Sequence, residues 1–164
     1  RDDRAAAPAP DEPLSLAARI NQVREADGGF EEKSFLAGAR AAFEMIVQAF
    51  AIGDLASLRP LLSDEVFANF SRAVKDRQAA GETLETRIAA IRDIDLADAR
   101  LEGSVAFITI RFVSDQTNVT KDADGRIVDG DPNEPIEVID LWTFARNVRS
   151  RDPNWTLVET RAPN

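Results

Sequence analysis

At Glu82 the hydrophobic period of this chain changes from three to four residues to two, dividing it into a helical half and a sheet half. Before that point, Phe35, Leu36, Ala39, Phe43, Ile46, Val47 and Phe50 form one helical stripe. The spacing predicts a long helix capped by Ser34, running to about Ile52 and ended by Gly53. Asp54 caps the next turn, which carries Leu55, Leu58, Leu61 and Leu62. Ser63 caps a further helix through Val66, Phe67, Phe70 and Val74, which stops near Gly81. A shorter helix, Leu14 to Ala26, carries Leu16, Ile20 and Val23 and is broken by Asp27-Gly28-Gly29. Three helices are therefore expected ahead of any strand.

After Glu82 the β-branched residues multiply and apolar positions alternate. The expected strands are Glu85 to Ala97, Ala99 to Thr120, Gly125 to Val148 and Asn154 to Arg161, with turns at Asp98, Asp124-Gly125 and Asp152-Pro153-Asn154. The middle two are too long to lie flat, so the sheet should curl and bend where Gly130 to Pro135 interrupt the third strand. Helices followed by a curled antiparallel sheet define an α+β domain with a concave face.

Residues 1 to 13 mix charge with Ala and Pro, have no apolar period and read as a disordered linker. Residues 14 to 33 read as the first helix and its connection, and 34 to 161 as the domain proper. No uninterrupted apolar run approaches the roughly 18 residues that span a bilayer.

Charge and missing residue types narrow the chemistry. Twenty basic and twenty-nine acidic residues leave a net charge of −9, which disfavours nucleic acid as a partner. Only Lys33, Lys75 and Lys121 are lysines; the other cations are Arg, the side chain suited to planar pairing with carboxylates. Without Cys there is no disulfide, zinc-thiolate site or thiol nucleophile. Without His or Tyr the chain lacks the commonest general base, the commonest transition-metal ligand and the phenolic acid.

The segment from Phe35 to Phe70, with Gly53-Asp54, and the later DLWTF at Asp140 to Phe144 and PNW at Pro153 to Trp155, resemble the Tim44-like domain family. The resemblance covers Phe35 to about Thr160. It implies a nuclear-transport-factor-two-like cone, N-terminal helices packed on a curled four-stranded antiparallel sheet around an apolar pocket. It also implies binding at an inner membrane, as in a mitochondrial import adaptor and in α-proteobacterial relatives anchored by a helix and polar linker. Residues 1 to 13 are similar to the end of such a linker. The basic extension through which the mitochondrial adaptor recruits a chaperone is not in this sequence.

Phe43, Phe50, Phe67, Phe70, Phe107, Phe112, Trp142 and Phe144 are the aromatics expected to line the pocket, with plain core filling as the alternative for each. Alternation from Glu137 to Phe144 puts Asp140 on the face of Val138, Trp142 and Phe144, where a carboxylate needs a partner; Arg111 is the expected one. A catalytic carboxylate of raised pKa, assisted by Arg111, Asn118 or Thr109, is the sharper reading of Asp140, and a structural ion pair the plainer one. Thr120, Asp122, Asp124 and Asp131 loosely match a calcium loop, against which stands an acidic hairpin tip built on Asp-Gly, so no metal is expected. The charged run from Arg72 to Arg92 reads as a solvated face.

The expectation is a membrane-proximal adaptor domain, not an enzyme, without cofactor. It would bind an inner-membrane protein or an apolar ligand such as a lipid tail, in protein translocation or membrane-complex assembly. An anchor outside this chain would hold it at the inner membrane, facing the cytoplasm. The competing class is an enzyme of the same cone using Asp140 on a small apolar substrate.

Overall fold

A computed structural model describes residues 14–163. The expected linker, 1 to 13, lies outside the described residues. The elements run α1 (Leu16–Ala26), α2 (Glu32–Ile52), α3 (Leu55–Leu58), a single 3-10 turn (Arg59–Leu61) and α4 (Asp64–Ala79). Strands β1 (Thr83–Glu102), β2 (Val105–Lys121), β3 (Ile127–Asp129), β4 (Ile136–Asn147) and β5 (Thr156–Arg161) follow. Helices thus precede an antiparallel sheet, as the switch of period requires.

Local signals set most helix ends. Ser15 and Ser63 accept the N–H groups of Ala18 and Val66, and Asp54 accepts that of Ser57. Gly53 ends α2 at a φ of 76°, a left-handed conformation that disfavours side chains. Ser34 does not cap α2; the helix begins at Glu32, because Phe30 is anchored in the core and the chain turns into the helix immediately after it. Arg77 of α4 closes the other end, donating to the carbonyls of Phe50 and Ala51 and lying over the Phe50 ring. By length and composition alone α2 would suffice to cross a membrane, but Ala39, Phe43, Ile46 and Ala49 commit one of its faces to the core.

The long strands pair in the order β1-β2-β4-β5, and β3 pairs with the far end of β2. The expected turn at Asp98 is absent: β1 continues to Glu102 and the chain reverses at Gly103-Ser104. What interrupts the alternation there is a β-bulge, one of three in β1, at 88/90, 91/93 and 96/98. Each bulge inserts a residue and resets the phase, so Leu84, Thr86, Ile88, Ile91, Ile94, Leu96 and Ala99 all face inward along twenty residues. The added twist curls the sheet. The expected third strand is split into β3 and β4 by the excursion from Gly130 to Pro135. Gly130 has a φ of 86°, and a Cβ there would lie 2.0 Å from the Asn118 carbonyl oxygen, so the excursion passes β2 at a distance that admits only glycine.

The core lies between the inner face of the sheet and the helices. Phe43 stacks on Phe112 at 4.4 Å between ring centres, and Trp142 packs on both. Helix α1 shares this core through Ile20 and Val23. Its Arg19 pairs with Asp98 at 2.8 Å and donates to the Ala99 carbonyl, fastening α1 to the last bulge of β1.

Candidate functional site

Two recesses lie along helix α2, one lined by its first half and the other by its last turns. Inner positions on β4 run Ile136, Val138, Asp140, Trp142, Phe144, and those on β2 run Ile108, Ile110, Phe112, Ser114, Gln116, Asn118. Exposure falls along β4 from Ile136, 58% exposed, to Trp142 and Phe144 at 5% and 4%. The strand therefore runs from an open end of the concavity to a closed one.

At the open end a cleft of about 350 Å³ lies between the sheet and the helices. Ile46, Val47 and Phe50 of α2, Phe70 of α4, Leu84, Val138 and Trp142 form its apolar walls. Phe50 and Phe70 meet edge to face at 5.1 Å. Its polar floor is a hydrogen-bonded row: the Thr86 hydroxyl donates to Asn118 Oδ1, Asn118 Nδ2 to Gln116 Oε1, and Gln116 Nε2 to the Ser114 hydroxyl. These contacts lock the amides side by side.

Asp140 lines the same cleft, on the face that alternation predicts. The expected partner does not reach it. Register pairs Asp140 with Phe112, while Arg111 sits opposite Leu141 and so points to the outer face, where it lies 4.0 Å from Asp95. Arg111 shares the outer series of β2 with Val105, Phe107 and Val113, whereas Asp140 lies on the inner face. Thr109 also faces outward, its hydroxyl 2.8 Å from that of Thr143. Of the three groups expected to assist a catalytic Asp140, only Asn118 shares its cleft. Among the described residues the Asp140 carboxylate has no hydrogen-bond or ion-pair partner, and burial raises its pKa above the usual carboxylate range.

The eight aromatics expected in one pocket are divided among five places. Phe50, Phe70 and Trp142 line the cleft. Phe43 and Phe112 are fully buried core. Phe67 is half-buried beneath the Arg59 guanidinium. Phe107 is a correction: it belongs to the outer series, where Arg100 covers its ring at 4.3 Å. Phe144 belongs to the second recess, a groove of about 900 Å³ at the closed end whose walls include Phe35, Ala42, Met45, Leu61 and Trp155. There Phe30, Phe35, Phe144 and Trp155 form an aromatic cluster, with Phe35 and Trp155 at 4.9 Å. Gln116 and Thr86 were not singled out from the sequence, though their place in the inward alternation was the available signal.

At the acidic hairpin tip the carboxylates serve the turn. Asp122 Oδ1 accepts the N–H groups of Asp124 and Arg126, Asp131 Oδ1 accepts that of Asn133, and Thr120 pairs with Asp129 within the sheet.

The model of the Tim44-like domain matches residues 16–162. The chain is 27% identical over 144 residues to the probable mitochondrial import inner membrane translocase subunit tin-44 of Caenorhabditis elegans, covering 85% of this chain and 34% of that protein. It is 21% identical over 146 residues to the mitochondrial import inner membrane translocase subunit TIM44 of Rattus norvegicus, covering 87% and 32%. It thus spans about a third of the length of these relatives. The crystal structure of the intermembrane space region of the chloroplast protein ARC6 superposes with a TM-score of 0.53 at 8% identity, over 77% of this chain and 94% of that one, a likeness of fold alone. The match across nearly all the described residues, on the α+β architecture that its sequence pattern dictates, places the chain in the Tim44-like domain family.

Proposed function

We propose that this domain is a protein-binding adaptor module of an inner-membrane translocation apparatus, and that the cleft at the open end of the sheet seats an apolar segment of its partner. The observation that carries the reading is the cleft itself, a recess with aromatic and aliphatic walls where the inner face of the sheet extends beyond its helical cover. Such a recess suits anchor side chains presented from one face of a helix. Burying one such side chain contributes roughly 1.5–3 kcal/mol, so two or three anchors are needed to offset the cost of association. The names of the relatives, subunits of an inner membrane translocase, support the setting. The domain is held at the membrane by a segment outside the residues described, on the cytoplasmic side. Residues 34 to 161 form the binding unit, with 14 to 33 bracing it.

The test replaces Phe70 with a photo-crosslinking phenylalanine analogue in the domain carrying its native flanking sequence, and irradiates it with inner-membrane vesicles. The expected outcome is a small set of discrete protein adducts that disappear when Val138→Arg fills the cleft. Adducts with lipid alone would sink the protein-partner reading.

A further inference from the structure

The cleft contains one feature that apolar capture leaves unexplained. Among the described residues its only ionisable lining residue is Asp140. A carboxylate moved part-way out of water destabilises the fold unless something compensates it, and within the described residues nothing does. Arg111, the expected mate, faces Asp95 across the outer surface, and Arg77, which lies over the Phe50 ring, is spent on the carbonyls at the end of α2. The floor beside Asp140 is the amide row, whose hydrogen bonds run from Thr86 to Asn118, from Asn118 to Gln116 and from Gln116 to Ser114, none of them to Asp140.

We infer that the cleft is a socket for a lysine side chain of the partner segment, its ammonium set against Asp140 and its aliphatic stem against Phe50, Phe70 and Trp142. This rests on the adaptor reading and sharpens it. The walls and the charge call for one ligand chemistry, an apolar stem ending in a compact cation. Lysine supplies both in one side chain. An ammonium against an aromatic wall gains a cation–π contribution as well as the charged hydrogen bond. Arginine also pairs with a carboxylate, but its stem is one methylene shorter, so lysine gives the aromatic and aliphatic walls more apolar contact. An anionic group, a fatty carboxylate included, would meet an unpaired like charge in a half-dry site and be rejected.

The probes are blocked amphipathic peptides of about three helical turns, apolar on one face, with a single central lysine, norleucine or glutamate. Norleucine keeps the stem and removes the charge. Binding is read by titration calorimetry, and its location by the Trp142 indole resonance, with Trp155→Phe used to assign it. In the native domain the lysine peptide should bind more tightly than the glutamate peptide. The lysine-to-norleucine affinity ratio should fall on the order of tenfold in Asp140→Asn, while norleucine binding is unchanged or stronger. Asp140→Asn keeps shape, and its melting curve is recorded first; Asp140→Ser serves as the second variant. If the norleucine peptide binds but the ratio is the same in both proteins, the lysine socket is wrong and the adaptor reading stands. If hexylammonium binds with an Asp140 dependence that no peptide shows, the occupant is a small amine and the assignment to a partner's lysine is overturned. If no peptide shifts the Trp142 resonance, the cleft is not the binding site and the adaptor reading fails with it.

Discussion

The two ends of the concave face are built from the same strands in the same alternation, yet at one the aromatic rings interlock beneath a wide groove and at the other a carboxylate and amides line a smaller cleft. At the closed end, Phe30, Phe35, Phe144 and Trp155 interlock, and the α1–α2 connection folds over them. That connection is pinned by Arg146, whose guanidinium pairs with Asp27 at 2.9 Å, the two side chains being 13% and 19% exposed. Arg146 also donates to the carbonyls of Ser150 and Asp152, so a single side chain ties helix connection, β4 and the turn before β5 together. At the open end the acidic side chain on β4, Asp140, has no such mate, and amides stand where the other end has rings. A charge that is paired contributes to the architecture; one left unpaired in a recess lowers stability and is retained most plainly for binding.

This contrast can be broken at either end. The largest effect should come from Phe144→Ala, which removes a nearly buried ring from the closed end and should cost about 3–5 kcal/mol in denaturant unfolding. Phe70→Ala, at the lip of the cleft, should cost no more than about half of that, because its ring is only half-buried. Equal losses at the two sites would mean that the cleft is ordinary core. Next, Arg146→Ala should cost about 2–3 kcal/mol, since it strands the Asp27 carboxylate and two carbonyls, and hydrogen exchange should quicken in the connection 27–31 before the rest of the domain.

The smallest change is the most diagnostic. Because burial holds the Asp140 pKa above its unfolded value, the folded state binds the proton more tightly. Its favourable contribution is complete below the ordinary carboxylate range and is lost as pH rises through the folded pKa. Asp140→Asn should therefore be more stable than the native domain at neutral pH, with the gap closing as the solution is acidified toward the usual Asp range. Thermal unfolding across that window checks it. A gap of opposite sign would mean that Asp140 has a cationic mate within the folded domain.

How far these features can be read without coordinates differs along the chain. Caps at Asp54 and Ser63 and the stop at Gly53 were legible because each acts on backbone groups within a few residues of itself. The inward direction of Asp140 was legible because alternation in β4 is unbroken. In β1 the same reasoning failed at Asp98, since a bulge and a turn both interrupt a period of two and differ only in what the neighbouring strand does. Arg111 was misassigned for a related reason: its strand is buried on both faces at 108–110 and 112–114, so alternation does not mark which face meets Asp140, and the register between strands decides it.

The sequence by itself therefore determined the order of helices and strands, the switch at Glu82, the main caps and which positions in each unbroken run share a face. Those depend on interactions a few residues long. Only the tertiary structure decided the phase across the bulges of β1, the dispersal of the eight aromatics, and the pairing of Arg111 with Asp95 instead of Asp140 and of Arg146 with Asp27. Register, curl and the path of α2 over the sheet arise from contacts between residues far apart in the chain, and no local period carries that information.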